Sequence, residues 1–90
     1  MNPEKIDLVS KVVVLDTATS WIYIGTFENE DDRYYYLSNA DAFDISEVNM
    51  TKHEYILKVK KDGVVVNRKK IIVAKDKIVA LTLLEDIVEK

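Results

Sequence analysis

The chain is poor in the residues that build covalent and metal chemistry. It has no cysteine, one histidine, two glycines and one proline among 90 residues. The lack of cysteine excludes disulfides, thiolate metal sites and a cysteine nucleophile. Two isolated glycines, Gly25 and Gly63, cannot build a glycine-rich phosphate loop. The single histidine, His53, has no second histidine or cysteine near it, so we expect no metal site there.

The length and the hydrophobic content indicate one small globular domain that spans residues 1–90. Hydrophobic residues make up 48% of the chain and charged residues 32%, which is too apolar for a disordered protein. Apolar runs such as Val12–Leu15 are too short to cross a bilayer, and the N-terminus lacks the basic-then-apolar order of a signal peptide. We therefore expect a cytoplasmic protein that does not contact a membrane.

Nothing in the sequence indicates catalysis. No segment resembles a nucleophile elbow, and the acidic residues of Glu28–Asp32 lack the alternation and the glycine of a calcium loop. The sequence therefore predicts a protein that is not an enzyme and that uses no cofactor and no metal.

The charges are unevenly distributed, although the net charge is only −3. Residues 1–51 carry three Lys or Arg against ten Asp or Glu, residues 52–77 carry nine against three, and residues 78–90 carry one against three. A basic segment can attract a polyanion locally, even on an acidic protein. Lysines also keep an exposed hairpin soluble and block pairing of its edge. Both interpretations of the basic segment stay open.

β-Forming residues dominate the chain and predict a mostly β fold, a small five-stranded, strongly bent antiparallel barrel. The first three predicted strands are Lys11–Asp16, Trp21–Asn29 and Arg33–Ile45, and the last is Ile78–Leu84. Between them, Glu54–Lys61 and Val64–Ala74 are predicted to face each other across Asp62-Gly63, a strong hairpin signal, so we expect an extended hairpin that lengthens the connection from the third to the fourth strand. Lys75-Asp76-Lys77 is predicted to form a tight turn.

Two smaller features complete the predicted fold. Asn2-Pro3-Glu4 is typical of a helix start and predicts a short N-terminal helix near residues 3–9, with Leu8 and Val9 facing inward. Gly25 lies inside a strand, where an isolated glycine marks a bend or a close backbone approach.

The segment 11–40, KVVVLDTATSWIYIGTFENEDDRYYYLSNA, resembles the first sequence motif of the Sm-like family. Gly25 and Phe27 match its inner glycine and the large apolar residue that follows, and Leu37–Ala40 matches the end of its third strand. The segment 73–78, VAKDKI, is similar in length and in its aspartate to the second motif, whose usual form is Ile-Arg-Gly-Asp-Asn-Ile. The resemblance covers roughly residues 3–84 and implies an Sm-like barrel, with a generic SH3-like barrel as the alternative.

The resemblance also implies a homo-oligomeric ring that binds single-stranded RNA, but the uracil pocket of the family is altered here. Tyr34 stands at the position of its asparagine, and Ala74 and Lys75 stand at the positions of its arginine and glycine. A tyrosine can still stack on a base, and Lys75 and Lys77 can meet phosphates. Tyr34, Lys75 and Lys77 are therefore the predicted nucleic-acid contacts. The alternative for Tyr34 to Tyr36 is burial within the sheet or at a subunit contact.

The last two strands are apolar on both faces, as in strands that are covered on both sides. An open apolar edge aggregates unless it is paired. In Sm-like rings the fourth strand of one subunit pairs with the fifth strand of the next, and the resemblance implies the same contact here. The predicted interface residues are Ile71, Ile72, Val73, Val79, Leu81 and Leu83. The alternative function is a protein-interaction or assembly module on the same fold, without nucleic-acid binding.

Overall fold

The computed structural model describes residues 7–89, which form a mostly β domain. Its elements are β1 (Val12–Thr17), β2 (Trp21–Glu30), β3 (Tyr34–Asp44), α1 (Lys52–Asp62), β4 (Arg68–Ala74) and β5 (Ile78–Leu83). Short 3₁₀ turns follow β3, β4 and β5 at Ile45–Glu47, Lys75–Lys77 and Leu84–Asp86. The mostly β class and the five antiparallel strands are confirmed.

The five strands form one open sheet in the order β4-β3-β2-β1-β5, antiparallel at every pairing. In a flat sheet the two edge strands would lie about 19 Å apart, four spacings of about 4.8 Å. Three residues connect the end of β4 to the start of β5, and such a link spans at most about 14 Å. The sheet therefore curls, although no ladder joins β4 to β5 among the described residues.

The long hairpin of β2 and β3 is irregular at Gly25. The pairing register shifts between Ile24 and Thr26 and again between Phe27 and Asn29. A Cβ atom at Gly25 would lie 2.6 Å from the Ala40 Cβ and 2.9 Å from the Ala40 Cα. Only glycine permits this approach of β2 to β3, which confirms the prediction from the sequence.

Each face of the sheet carries its own apolar core. The first core contains Val13, Leu15, Phe27, Leu37, Ala40 and Val73. The second core lies under α1, which packs Tyr55, Ile56 and Val59 against Val14, Ile22 and Ile24. The spacing of the three helix residues is that of one helix face.

The predicted extended hairpin is wrong, because residues 52–62 form α1. Thr51 and Glu54 form a capping box, in which each side chain accepts the backbone N–H of the other residue. Gly63, with φ of +93°, ends the helix, and its N–H donates to the Val59 carbonyl at 2.7 Å. Asp62-Gly63 is therefore a helix end instead of a hairpin turn. The fourth strand begins only at Arg68.

The predicted N-terminal helix lies partly outside the described residues. Residues 8–11 form a turn that is closed by a hydrogen bond of 2.9 Å from the Lys11 N–H to the Leu8 carbonyl. Leu8 packs against the first core as expected, whereas Val9 is 53% exposed. No helix in residues 7–89 has the length and apolar character needed to span a membrane.

Candidate nucleic-acid and assembly surfaces

The turn Lys75–Lys77 joins the two edges of the sheet and carries both lysines predicted to meet phosphate. The Lys75 N–H donates to the Arg33 carbonyl at 2.8 Å, which fixes the turn to the β2–β3 loop. The Lys75 Nζ lies 2.6 Å from a Glu30 carboxylate oxygen and 5.0 Å from the centre of the Tyr35 ring. The hydrogen bond to Glu30 raises the pKa of Lys75. The charge of Lys75 is therefore largely balanced within the chain.

Tyr34 begins β3 and is 39% exposed. It lines a shallow depression together with Asp32, Arg33, Ala74, Lys75 and Asp76. The structure thus brings together two of the three predicted contacts, Tyr34 and Lys75. Arg33, which was not predicted, adds a cation that makes no ion pair within the described residues.

The loop that holds Tyr34 is ordered by one carboxylate. Asp31 Oδ1 accepts the backbone N–H groups of Arg33 and Tyr34 at 2.9 and 2.8 Å, and its Oδ2 accepts the Tyr36 hydroxyl at 2.5 Å. The Tyr36 hydrogen bond, followed by the backbone N–H of Arg33, lowers the pKa of Asp31. Asp31 therefore shapes the loop, and its negative charge persists near Tyr34.

A second depression lies on the other side of Asp76, which lines both. Its walls include Thr17, Thr19, Trp21, Tyr23, Lys77 and Val79. The third predicted contact, Lys77, lies here and not beside Tyr34. Sequence reasoning missed Trp21 and Tyr23, although two aromatic residues two positions apart on a strand share a face.

The surroundings of these depressions are more acidic than basic. The nearby acids are Glu30, Asp31, Asp32 and Asp76, against Arg33, Lys75 and Lys77. The remaining basic residues of the middle segment lie on α1 and at the start of β4. Of these, all except Lys52 are exposed.

The six predicted interface residues lie on the two edge strands. Val73 is buried in the first core, and Ile71, Leu81 and Leu83 pack against that core while remaining partly exposed. Ile72 and Val79 are 62% and 65% exposed. The edge strands β4 and β5 thus both carry apolar side chains.

The backbone of β4 alternates between its neighbour and the free edge. Since the Lys75 N–H bonds to Arg33, the antiparallel pattern turns the backbone groups of Val73 and Ile71 toward β3. The same pattern turns those of Lys70 and Ile72 outward. Ile72 therefore directs its backbone N–H and carbonyl groups to the open edge, and its side chain is exposed.

The outer edge of β5 follows from the same rule. The Phe27 N–H bonds to the Lys11 carbonyl, so the backbone of Val14 turns away from β2 toward Thr82 on β5. Leu81 and Leu83 then turn their N–H and carbonyl groups outward. In the described part of the chain, both edges of the sheet offer unpaired ladder positions next to apolar side chains.

A buried polar network joins α1 to the strands. Asp41, 5% exposed, accepts hydrogen bonds from the Tyr55 hydroxyl and from Asn67 Nδ2, the latter at 2.9 Å. The Asn67 amide also binds the Ala42 N–H and carbonyl at 2.9 and 3.1 Å, as a neighbouring strand would. Burial and the hydrogen bond to Asp41 raise the pKa of Tyr55. Every member is satisfied, so the network fixes α1 and the entry to β4.

By its architecture the chain is a β-rich domain with an open antiparallel sheet and a helix on one face. No protein-family model matches it, and no curated protein sequence matches it. No group of three or more His, Cys, Asp or Glu residues that could hold a metal ion occurs within residues 7–89.

Proposed function

We propose that the chain is a non-enzymatic assembly module whose copies join through the open edges β4 and β5. The observation that carries the proposal is a pair of edge strands that have no further partner within residues 7–89 and that carry exposed apolar residues, Ile72 on one and Val79 on the other. Open apolar edges favour pairing with another strand. Because the two edges differ, the contact is heterologous, and repeated copies form a ring if the rotation closes.

The charges along the two edges support antiparallel pairing. In that orientation the start of β4 meets the end of β5 of the next copy. The start of β4 carries Arg68, Lys69 and Lys70, and the 3₁₀ turn after β5 carries Glu85 and Asp86. These five residues are exposed. Opposite charges thus meet across the contact, and such complementarity fixes the register of an interface.

The apolar side chains support the same orientation. Residues that face each other in an antiparallel pair project to the same side of the sheet. Ile72 turns its backbone outward on β4, and Leu81 and Leu83 do so on β5. Pairing would therefore cover the exposed Ile72 with the partly exposed leucines of the next copy.

We further propose that the chain is a divergent Sm-like domain. The motif resemblance of residues 11–40 supports this assignment, and so does a strand order that leaves the fourth and fifth strands at opposite edges. Closure into a barrel-like ring subunit and the ring itself belong to this proposal. α1 between β3 and β4 is an addition that the two motifs do not imply.

Charge reversal tests the assembly. We define an acidic-edge variant, Lys69→Glu with Lys70→Glu, and a basic-tail variant, Glu85→Lys with Asp86→Lys. Each variant alone places like charges at the contact, so light scattering should show dissociation where the natural chain associates. An equimolar mixture should associate again, because each β4 edge then meets an opposite charge.

The control for this test changes the same number of charges on α1, outside both edge strands. Lys58→Glu with Lys61→Glu alters exposed residues of α1 and should leave association unchanged. A natural chain that stays monomeric at its highest soluble concentration refutes the proposal. Two variants that do not rescue each other refute the antiparallel orientation.

The second candidate function is binding of single-stranded RNA. It is favoured by Tyr34, which is 39% exposed and lines one depression with Arg33 and Lys75. Lys77 in the second depression, which shares Asp76 with the first, also favours it. Labelled U-rich and A-rich oligonucleotides, measured by fluorescence anisotropy at two salt concentrations, test it. We expect weak base discrimination and a steep loss of affinity with salt. No binding to either oligonucleotide at low salt removes RNA as a ligand.

A further inference from the structure

Trp21 and Tyr23 form a stacked aromatic pair at the start of β2. Their ring centres are 6.4 Å apart and their planes differ by 18°. Tyr23 packs against the first core, whereas Trp21 is 38% exposed. An indole that is stacked on a second ring presents a rigid, flat surface. Little side-chain freedom is then lost when a ligand binds to it.

The turn before Trp21 is held by several hydrogen bonds. The Thr17 hydroxyl donates to the Trp21 carbonyl at 2.7 Å, and the Trp21 N–H donates to the Thr19 hydroxyl at 3.2 Å. The Lys52 Nζ contacts the carbonyls of Thr17 and Thr19 and the carboxylate of Asp16 at 2.9, 2.7 and 2.6 Å. α1 therefore fixes the position of Trp21 before any ligand arrives.

A cation lies beside this aromatic pair. Lys77 lines the same depression and is exposed, and it makes no ion pair with any residue of the described chain. We propose that the Trp21–Tyr23 pair stacks on a base of single-stranded RNA while Lys77 holds a neighbouring phosphate. This inference rests on the RNA-binding candidate function and extends it to a second platform.

The arrangement favours a single strand that crosses the Lys75–Lys77 turn. Asp76 lines both depressions, so the Tyr34 side and the Trp21 side are contiguous. Each side pairs an exposed aromatic ring with a cation that makes no ion pair within residues 7–89, Arg33 on one side and Lys77 on the other. Aromatic rings that stack on successive bases next to basic residues are typical of single-strand binding. Asp76 opposes the phosphates, so Asp76→Asn should strengthen binding.

Trp21 is the only tryptophan of the chain, so its fluorescence reports on this platform alone. The full chain is titrated with short oligouridylate and oligoadenylate, and binding is followed separately by the anisotropy of labelled RNA. We expect saturable quenching that tracks the anisotropy. A sugar-phosphate oligomer without bases is the matched control, and it should bind weakly without quenching.

Variants assign the two contributions. Trp21→Leu should weaken RNA binding about 5- to 100-fold, and Trp21→Phe should retain most of it. Lys77→Gln should reduce the slope of log affinity against log salt by about 0.7, and Lys58→Gln on the exposed face of α1 should not. Circular dichroism confirms that each variant is folded.

The outcomes separate this platform from RNA binding as such. RNA that binds without quenching Trp21, or equal quenching by the base-free oligomer, overturns the stacking platform and leaves RNA binding by Tyr34 in place. Unchanged affinity in Trp21→Leu overturns it as well. Absence of any RNA binding at low salt overturns both proposals together.

Discussion

Removal of the Tyr55 hydroxyl should destabilise the domain through a single buried contact. Tyr55→Phe keeps the ring, which stacks on Phe43 at 4.5 Å, and deletes the donor to buried Asp41. A hydrogen bond to a charged acceptor contributes about 1.5–3 kcal/mol to stability. Asp41 keeps Asn67 Nδ2 as a donor at 2.9 Å, so we expect a loss of about 2 kcal/mol at pH 7.

The pH dependence gives an independent check of the same contact. Burial, together with the hydrogen bond to Asp41, raises the pKa of Tyr55 above its usual value of 10.0. Above about pH 10 the unfolded chain therefore releases this proton while the folded chain retains it. The natural chain should lose up to about 1.4 kcal/mol per pH unit from this group, and the Phe variant should not. The difference between the two proteins therefore shrinks as the pH rises.

Urea unfolding followed by circular dichroism measures both effects. At neutral pH the midpoint temperature should also fall by roughly 8–16 °C, given the size of the domain. Tyr35→Phe is the matched control, because the Tyr35 hydroxyl makes no hydrogen bond to another described residue, and it should change stability by less than about 0.5 kcal/mol. Equal losses of stability in Tyr55→Phe and Tyr35→Phe would refute the role of the network. So would a stability difference between the natural chain and Tyr55→Phe that stays constant up to pH 11.

Three further substitutions test the local structure, each by denaturant unfolding. Gly25→Ala places a Cβ 2.6 Å from that of Ala40 and should destabilise the domain by about 1–3 kcal/mol. Adding Ala40→Gly to this variant should restore only part of the lost stability. A Gly25→Ala variant as stable as the natural chain would contradict the close approach. Thr51→Ala removes the cap of α1 and should lose about 1 kcal/mol, whereas Thr51→Ser should match the natural chain. Lys52→Met removes three contacts at the β1–β2 turn and should lose about 1 kcal/mol of stability, since the site is partly solvated. The fluorescence of Trp21 should change as well, and unchanged emission would argue against the rigid turn.

Most strands could be predicted because their side-chain pattern agrees with their final environment. Val12–Thr17 and Ile78–Leu83 are short apolar runs bounded by polar turns, and they pair with each other in the structure. The close approach at Gly25 could be predicted because glycine weakens a strand interior, so a lone glycine there indicates a bend or a tight backbone contact. The strand order could not be derived from these patterns, since it depends on which edges meet after the sheet curls.

The helix was missed because two local signals competed at residues 51–63. Asp62-Gly63 between β-forming residues is a strong hairpin signal, and the prediction rested on it without considering the Thr51-x-x-Glu54 pattern of a capping box. The buried side chains are Tyr55, Ile56 and Val59, a spacing that fits a helix and breaks the alternation of a strand. Lys60 and Lys61 in the last turn are a further helix signal.

The candidate site was predicted only in part because ion pairs depend on the tertiary fold. Nothing in the local sequence joins Lys75 to Glu30, which are 45 residues apart. Lys77 lies beside Trp21 for a similar reason: β5 pairs with β1, and this pairing places the start of β5 next to the β1–β2 turn. Resemblance to a motif identifies equivalent positions, but it does not give the partners of each side chain.

The missed helix is also what connects the two proposed surfaces. At its N-terminus Lys52 holds the turn that positions Trp21. Near its C-terminus Lys60 donates to the carbonyls of Glu85 and Ile87, which fixes the segment after β5. In between, Tyr55 and its network fix the entry to β4. One element thus sets the geometry of the aromatic platform and of both ends of the proposed copy-to-copy contact. A substitution that loosens α1 should therefore weaken RNA binding and association together, whereas changes at Trp21 or at Lys69 should affect only one of them.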